Sequence, residues 1–307
     1  MQEINNYKNK LNKYWKGIQL FMKNNDYHHF IPQVYLKKWA TRGTKENLRV
    51  FYNMNDIDPI GVNSKKILGR DNFNTINGSR AIETELGNKY DNKYNHLLEE
   101  IEKNIFNKKS RLQTEKLKNE ITEYITIQFL RNPYSLETLY NYGPIKDLLY
   151  ELNYNQFKNI REEIEKNLNN NILNIIFNSE DLRKHYTTIY NIFNSMEYLF
   201  YDNKTNINFI TNDRGIFPNI KIKNNYSGGF YFPLTPFKLL RLCKCKTQHK
   251  YQVIDCYDQE MIKYINYIIF ENRKELVINN NNKIRHLISN NYNDDKWKEI
   301  INFQIKY

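Results

Sequence analysis

Three cysteines in 307 residues are too few for a disulfide framework, and their odd number fits a reducing compartment better than an oxidising one. No apolar run approaches the roughly 18 to 20 residues needed to cross a bilayer. Met1 to Lys16 is polar and aromatic, without the apolar centre of a signal peptide. A cytoplasmic protein with no membrane partner is therefore expected. Also missing are the phosphate-binding P-loop, the dinucleotide glycine fingerprint, the Gly-x-Ser-x-Gly elbow and the His-Glu-x-x-His helix. P-loop nucleotide hydrolysis, hydride transfer on a Rossmann unit and serine-hydrolase chemistry thus have no support in the chain.

What the chain has in excess is basic charge, a net +12. Such a surplus points to an anionic partner, nucleic acid before an acidic membrane surface. The inference has to be discounted, because Asn, Lys, Ile and Tyr are residues of A/T-rich codons. The runs Asn169 to Asn171 and Asn279 to Asn282 follow the same drift. Solvated lysines that keep a protein soluble account for most of the excess, and nucleic acid remains the leading partner class.

The hydropathy pattern divides near residue 195. Before it, helical periodicity dominates. An amphipathic helix is expected over Ile4 to Asn24, a long one over Ser79 to Asn107 with the stripe Ile82, Leu86, Tyr90, Tyr94, Leu97, Ile101 and Ile105, and another over about Thr114 to Arg131. Further helices are expected at Leu136 to Asn153, Gln156 to Asn178 and Asp181 to Asn194. Leu48 to Tyr52 has strand character. Asn53 to Gly78 reads as a long irregular connection, and loops of that length, here containing Arg70 to Thr75, are often functional.

After Met196, short β-branched or aromatic segments alternate with turn residues, at Met196 to Tyr201, Ile207 to Thr211, Gly229 to Pro233, Leu239 to Cys245 and Tyr251 to Tyr257. Helices return at Gln259 to Leu276 and Lys283 to Ser289, before a basic-aromatic tail. The fold class predicted is α+β: a mainly helical body with a small, largely antiparallel sheet in the C-terminal third. The chain reads as one domain, helical over about 1–195 and sheet-containing over about 196–307.

The most chemical stretch is His28-His29-Phe30-Ile31-Pro32-Gln33-Val34-Tyr35-Leu36. Pro favours the first helical position, and Pro32, Tyr35, Leu36 and Trp39 share one helical face. The histidines are thus expected at a helix N-terminus, where free backbone N–H groups receive anions and favour neutral imidazole, a form that can act as base or metal ligand. The structural alternative is that both cap the turn and pack under Trp39. On the helix ending at Asn132-Pro133, Gln128 and Arg131 are expected to face inward with Tyr124 and Ile125.

This His-His-x-x-Pro-x-x-Tyr-Leu block resembles the opening of bacterial proteins of domain-of-unknown-function family 4238. Ile82-Glu83-Thr84-Glu85-Leu86, Gln128-Phe129-Leu130-Arg131-Asn132-Pro133, Phe209-Ile210-Thr211-Asn212-Asp213 and Phe232-Pro233-Leu234-Thr235-Pro236 are similar to its later blocks, in the same order. Asn212 stands where the family usually has Ser, and Arg214-Gly215 where it has Asn-Pro, so the turn after Asp213 is expected to differ. The resemblance implies a common design over most of the chain rather than a particular reaction.

The polar residues of those blocks are His28, His29, Gln33, Glu83, Gln128, Arg131 and Asp213. If they converge, they include a base, an acid and an anion clamp, which suffices for phosphodiester hydrolysis. In that scheme His28, His29, Glu83 and Asp213 are catalytic or hold a divalent metal such as Mg or Mn, while Gln33, Gln128 and Arg131 bind substrate. The function expected is a nuclease of bacterial defence or toxin type. The alternative is a non-catalytic sensor or partner-binding protein whose polar blocks are structural. The His-His-x-x-Pro string is also similar to that of some HNH nucleases, and Asn47 could stand for the central Asn, but no histidine follows until His96 and the residues after Pro32 read as helical. Cys243, Cys245, His249 and Cys256 have poor zinc spacing, and small buried thiols in a sheet are the better reading.

Overall fold

The computed structural model describes residues 27–41, 48–51, 60–74, 80–107, 114–134, 180–218, 229–243, 251–279 and 285–288. The helices expected at 4–24, 136–153 and 156–178, the C-terminal tail, Asn47, Cys245 and His249 lie outside them. Among the described residues no helix is long and apolar enough to cross a membrane.

The chain is α+β. A five-stranded sheet has the order β10-β5-β9-β8-β7, built from β5 (Glu197–Asn203), β7 (Phe217–Pro218), β8 (Gly229–Thr235), β9 (Lys238–Cys243) and β10 (Tyr251–Cys256). Only the β10–β5 pair is parallel. From Tyr198 to Asn203 every residue of β5 is buried, as a strand covered on both faces requires.

Two helices cover this sheet, α4 (Thr114–Arg131) and α5 (Glu180–Ser195), close to the predicted spans. Phe129 of α4 meets Phe193 of α5 and Phe230 of β8 edge to face, at 5.6 and 5.8 Å between centroids. The Thr122 hydroxyl lies 2.6 Å from that of Tyr198. The face of α4 carrying Leu117, Ile121, Tyr124, Ile125 and Gln128 is buried.

The sheets are not confined to the C-terminal third, and this qualifies the expectation of a helical body. Among the described residues four strands lie before residue 72: β1 (Tyr27–His29), β2 (Leu48–Phe51), β3 (Ile60–Val62) and β4 (Gly69–Asp71). β1 and β4 form an antiparallel two-stranded ribbon. β2 and β3 join β6 (Thr211–Asn212) and β11 (Val277–Asn279) in an antiparallel sheet of order β3-β2-β11-β6. The C-terminal β11 thus sits between a strand from each part of the chain. The helix expected to run to Leu276 stops earlier, as α6 (Gln259–Glu271), with Asn272 as its C-cap.

The long helix expected from Ser79 is real but uneven. It runs as α2 (Ala81–Glu85), a π-helical stretch Leu86–Asp91, α3 (Tyr94–Ile101) and a second π-helical stretch Glu102–Asn107. Its buried stripe explains why. Ile82, Leu86, Tyr90 and Tyr94 are each four residues apart and all buried. An α-helix of 3.6 residues per turn carries such a series progressively off one face, whereas the wider turn of a π segment brings it back.

Candidate functional site

The helix start expected at Pro32 is shorter and later than the sequence suggests. Pro32 is extended, with ψ 139°, and precedes α1 (Gln33–Leu36), which continues as one 3-10 turn, Lys37–Trp39. His28 and His29 are therefore strand residues of β1, four or more positions from the first helical residue. The anion-receptive helix end is not their environment. Long-range pairing decides this: His28 is opposite Arg70 and His29 opposite Gly69. Leu68, at φ 55°, turns its carbonyl onto Phe30 N–H at 2.9 Å and Ile31 N–H at 3.3 Å, closing the ribbon.

Neighbouring strand residues point to opposite faces, and the two imidazoles have separate partners. His28, 1% exposed, accepts at Nδ1 from the backbone N–H of Asn74, 2.9 Å away. Asn74 is fully buried, and its amide donates to Glu83 Oε2 at 2.5 Å. His28 and Glu83 are thus brought together through Asn74, from the loop flagged for its length. Because Nδ1 accepts, the proton of neutral His28 is on Nε2.

His29, 8% exposed, approaches the Ser64 carbonyl through Nε2 at 3.2 Å, and the Gln33 amide lies 3.5 Å from the same nitrogen. A carbonyl only accepts, so this contact places the proton on Nε2 and the basic lone pair on Nδ1. Burial lowers the proton affinity of His29 below the ordinary histidine value. The Ser64 carbonyl opposes this, Arg131 lowers it further, and Glu83 and Asp91 partly restore it. His29 is therefore a neutral base near pH 7, and the charges of Glu83, Asp91 and Arg131 act on it from close by.

Arg131, wholly buried at the end of α4, donates from Nη1 to Asp91 Oδ1 and from Nη2 to the His29 carbonyl, both at 2.6 Å. The guanidinium thus holds the backbone of the imidazole strand. Asp91 closes the first π-helical stretch, and sequence reasoning missed it because nothing local distinguishes it from the other surface acids of that helix. Gln128 is buried one turn before Arg131, on the face that also carries Tyr124.

Asp213 stands apart. Its carboxylate accepts from the backbone N–H groups of Lys274, Glu275 and Leu276 at 2.9, 2.7 and 3.2 Å. Burial pushes its proton affinity up, against the pull of those three donors. It fixes the turn between α6 and β11. The departures at this block have clear roles. Asn212 Oδ1 accepts from Arg214 N–H at 3.1 Å and its amide donates to the Ile269 carbonyl at 2.9 Å, while Gly215, at φ 67°, adopts a conformation closed to the Pro usual there.

The five sequence blocks nevertheless meet through hydrogen bonds. The Tyr35 hydroxyl lies 2.6 Å from Thr211 Oγ1 and donates to the Pro233 carbonyl at 2.8 Å. Tyr94 donates to the Leu234 carbonyl at 2.8 Å. Asn132 donates to the carbonyls of Asp213 and Arg214 at 3.0 and 3.1 Å. Arg131 and Asn132 thereby tie the imidazole block to the block ending at Asp213, and Tyr35 ties it to Thr211 of that same block and to the Pro233 block.

Among the described residues no group of three or more His, Cys, Asp or Glu side chains is placed to hold a metal ion. The candidates are engaged elsewhere: His28 and Glu83 with Asn74, Asp91 with Arg131, Asp213 with the 274–276 backbone. Cys243 is disulfide-bonded rather than the thiol expected, and Cys256 is a buried thiol. No curated protein and no solved structure matches the chain significantly. Residues 27–283, which contain all five interlocked blocks, match the family described as protein of unknown function, DUF4238, and the chain belongs to that family.

Proposed function

We propose that the protein is a phosphodiesterase acting on nucleic acid in the cytoplasm, a nuclease of the defence or toxin kind, with His29 as its general base. One observation carries this reading: the antiparallel β1–β4 ribbon bearing the imidazoles leads, through Asn74, into a helix bearing Glu83. β1 and β4 pair in space ahead of the helix that carries Glu83, although α1, β2 and β3 lie between them in the chain, and this arrangement of two strands and a helix is similar to the compact unit of HNH nucleases. The likeness is one of arrangement, and the chemistry has to come from the residues themselves.

In this reading His29 Nδ1 takes the proton of the attacking water or ribose hydroxyl as its oxygen bonds to phosphorus and the leaving oxygen departs. Gln33, half-buried at His29, faces the substrate. Arg131, wholly enclosed, is a positioning residue that fixes the His29 carbonyl and adds to the burial that keeps the imidazole neutral. Asn74 and Glu83 hold the opposite face of the ribbon through His28. Asp213 supports the fold by holding the 274–276 backbone.

A second reading, a sensor or partner-binding protein, draws on one fact: the charges of Arg131 and Asp213 are satisfied internally. Incubating the purified chain with RNA and DNA panels, in EDTA and with Mg²⁺ or Mn²⁺, separates the two. The nuclease reading expects cleavage that survives EDTA. A folded protein that leaves every substrate intact contradicts it, and cleavage only with added metal contradicts the metal-free assignment.

A further inference from the structure

Among the described residues Tyr27 is one of four large hydrophobic side chains exposed to solvent, at 38%. It stands on the same face of β1 as His29, with the two rings edge to face at 5.1 Å and 82°. Its position is fixed. Gly69 N–H donates to the Tyr27 hydroxyl at 3.2 Å. The ring also lies where a side chain on Gly69 would be: a Cβ there would come within 2.6 Å of Tyr27 Cε1 and 2.5 Å of the His28 carbonyl. A glycine opposite His29 thus lets an aromatic ring lie down beside the imidazole while one side stays open to water.

The 3-10 turn Ser64–Lys66 supplies the carbonyl that holds His29, and its next two residues, Lys65 and Lys66, are exposed. Asn63 caps the turn by accepting from Lys65 N–H at 2.9 Å, so the lysines rise from a fixed backbone. The anion at this end of the ribbon is Asp71, exposed and paired with Tyr27 across the strands. Two exposed lysines thus follow directly on the residue whose carbonyl meets the His29 ring, while Arg70 is the cation that acts on Tyr27 itself.

We infer that Tyr27, Lys65 and Lys66 form a docking surface for single-stranded nucleic acid, the ring stacking an unpaired base while the lysines carry the adjoining phosphates beside His29. A rigid, half-exposed ring next to paired lysines matches the chemistry of single strands, whose bases present open π faces. A duplex keeps those faces stacked inside and cannot use the ring. The inference rests on the nuclease reading for the role of His29, but the surface can be measured by binding alone.

The test is fluorescence anisotropy of the full-length chain with labelled oligouridylate, oligothymidylate and a duplex of the same length, with cleavage followed in parallel on gels. Single strands are expected to bind at least tenfold more tightly than the duplex. Tyr27→Leu should weaken that binding by roughly 5- to 150-fold and Tyr27→Trp should retain it. Lys65→Ala with Lys66→Ala should flatten the salt dependence of log Kd by about 1.4. These lysines are exposed, so the pair remains informative if Tyr27→Leu fails to fold. Equal or tighter duplex binding, no binding at all, or indifference to both sets of substitutions overturns the surface. Tight single-strand binding without cleavage leaves the surface standing and overturns the nuclease reading; cleavage without single-strand preference does the reverse.

Discussion

Replacing Arg131 by Met removes a buried cation at similar side-chain length, and the structure sets the expected cost. The His29 carbonyl loses its 2.6 Å donor inside the protein, and a buried acceptor left without a partner costs about 1–3 kcal/mol. Asp91 loses its 2.6 Å partner but is 22% exposed, so water recovers part of that interaction. The total should be about 2–4 kcal/mol, below the 3–5 kcal/mol typical of breaking a fully enclosed ion pair. Urea titrations followed by far-UV circular dichroism and by tryptophan fluorescence, which includes the buried Trp39, measure it as a fall in midpoint at constant slope. Asp91→Asn should also destabilise, and the double variant should cost less than the sum of the singles by more than about 0.5 kcal/mol, because both remove the same contact. A loss under about 1 kcal/mol for Arg131→Met, or strict additivity, would refute the claim that this pair pins the imidazole strand.

Other expectations follow from the same contacts. Tyr35→Phe deletes a hydroxyl that serves both Thr211 and Pro233, and it should cost about 1–3 kcal/mol in the same titrations. Gly69→Ala forces a methyl against the His28 carbonyl, a backbone atom that cannot swing away, and should destabilise by about 1–3 kcal/mol while disturbing the Tyr27 ring. The folded protein holds His29 below its ordinary value of 6.5, so as pH falls through 6.5 the unfolded chain takes up a proton that the folded chain resists. Stability present above that pH should therefore decline below it, and His29→Gln should remove this part of the decline as read from unfolding midpoints between pH 5 and pH 8, an interval set about the usual histidine range.

Local signals revealed some of this architecture. The Thr114–Arg131 helix was legible because a sustained apolar stripe ends at Asn-Pro, which stops a helix wherever it occurs. The inward Gln128 and Arg131 followed from the same periodicity. The strand setting of His28 and His29 was not legible, since β1 has three residues and its partner β4 lies about forty residues on. Nothing within so short a segment competes with the helix signal of Pro32 and the Tyr35 stripe. No strand was expected at Val277–Asn279, and the helix before it was expected to reach Leu276, for a related reason: a short apolar run suits a helix end and a buried strand equally, and the turn that separates them is held by Asp213, some sixty residues earlier. The block residues could be identified in order along the chain, but their connectors, Asn74, Asp91 and Asn132, are ordinary polar residues whose importance appears only in three dimensions.

The assignment of His29 as a base is tested most directly by comparing wild type with His29→Gln on labelled single-stranded RNA and DNA, with both proteins shown to be folded by near-UV circular dichroism. The account predicts cleavage by the wild type and a loss of about 10² to 10⁴ in rate for the variant. Equal rates for the two proteins, or a wild type that cleaves neither strand, would contradict it.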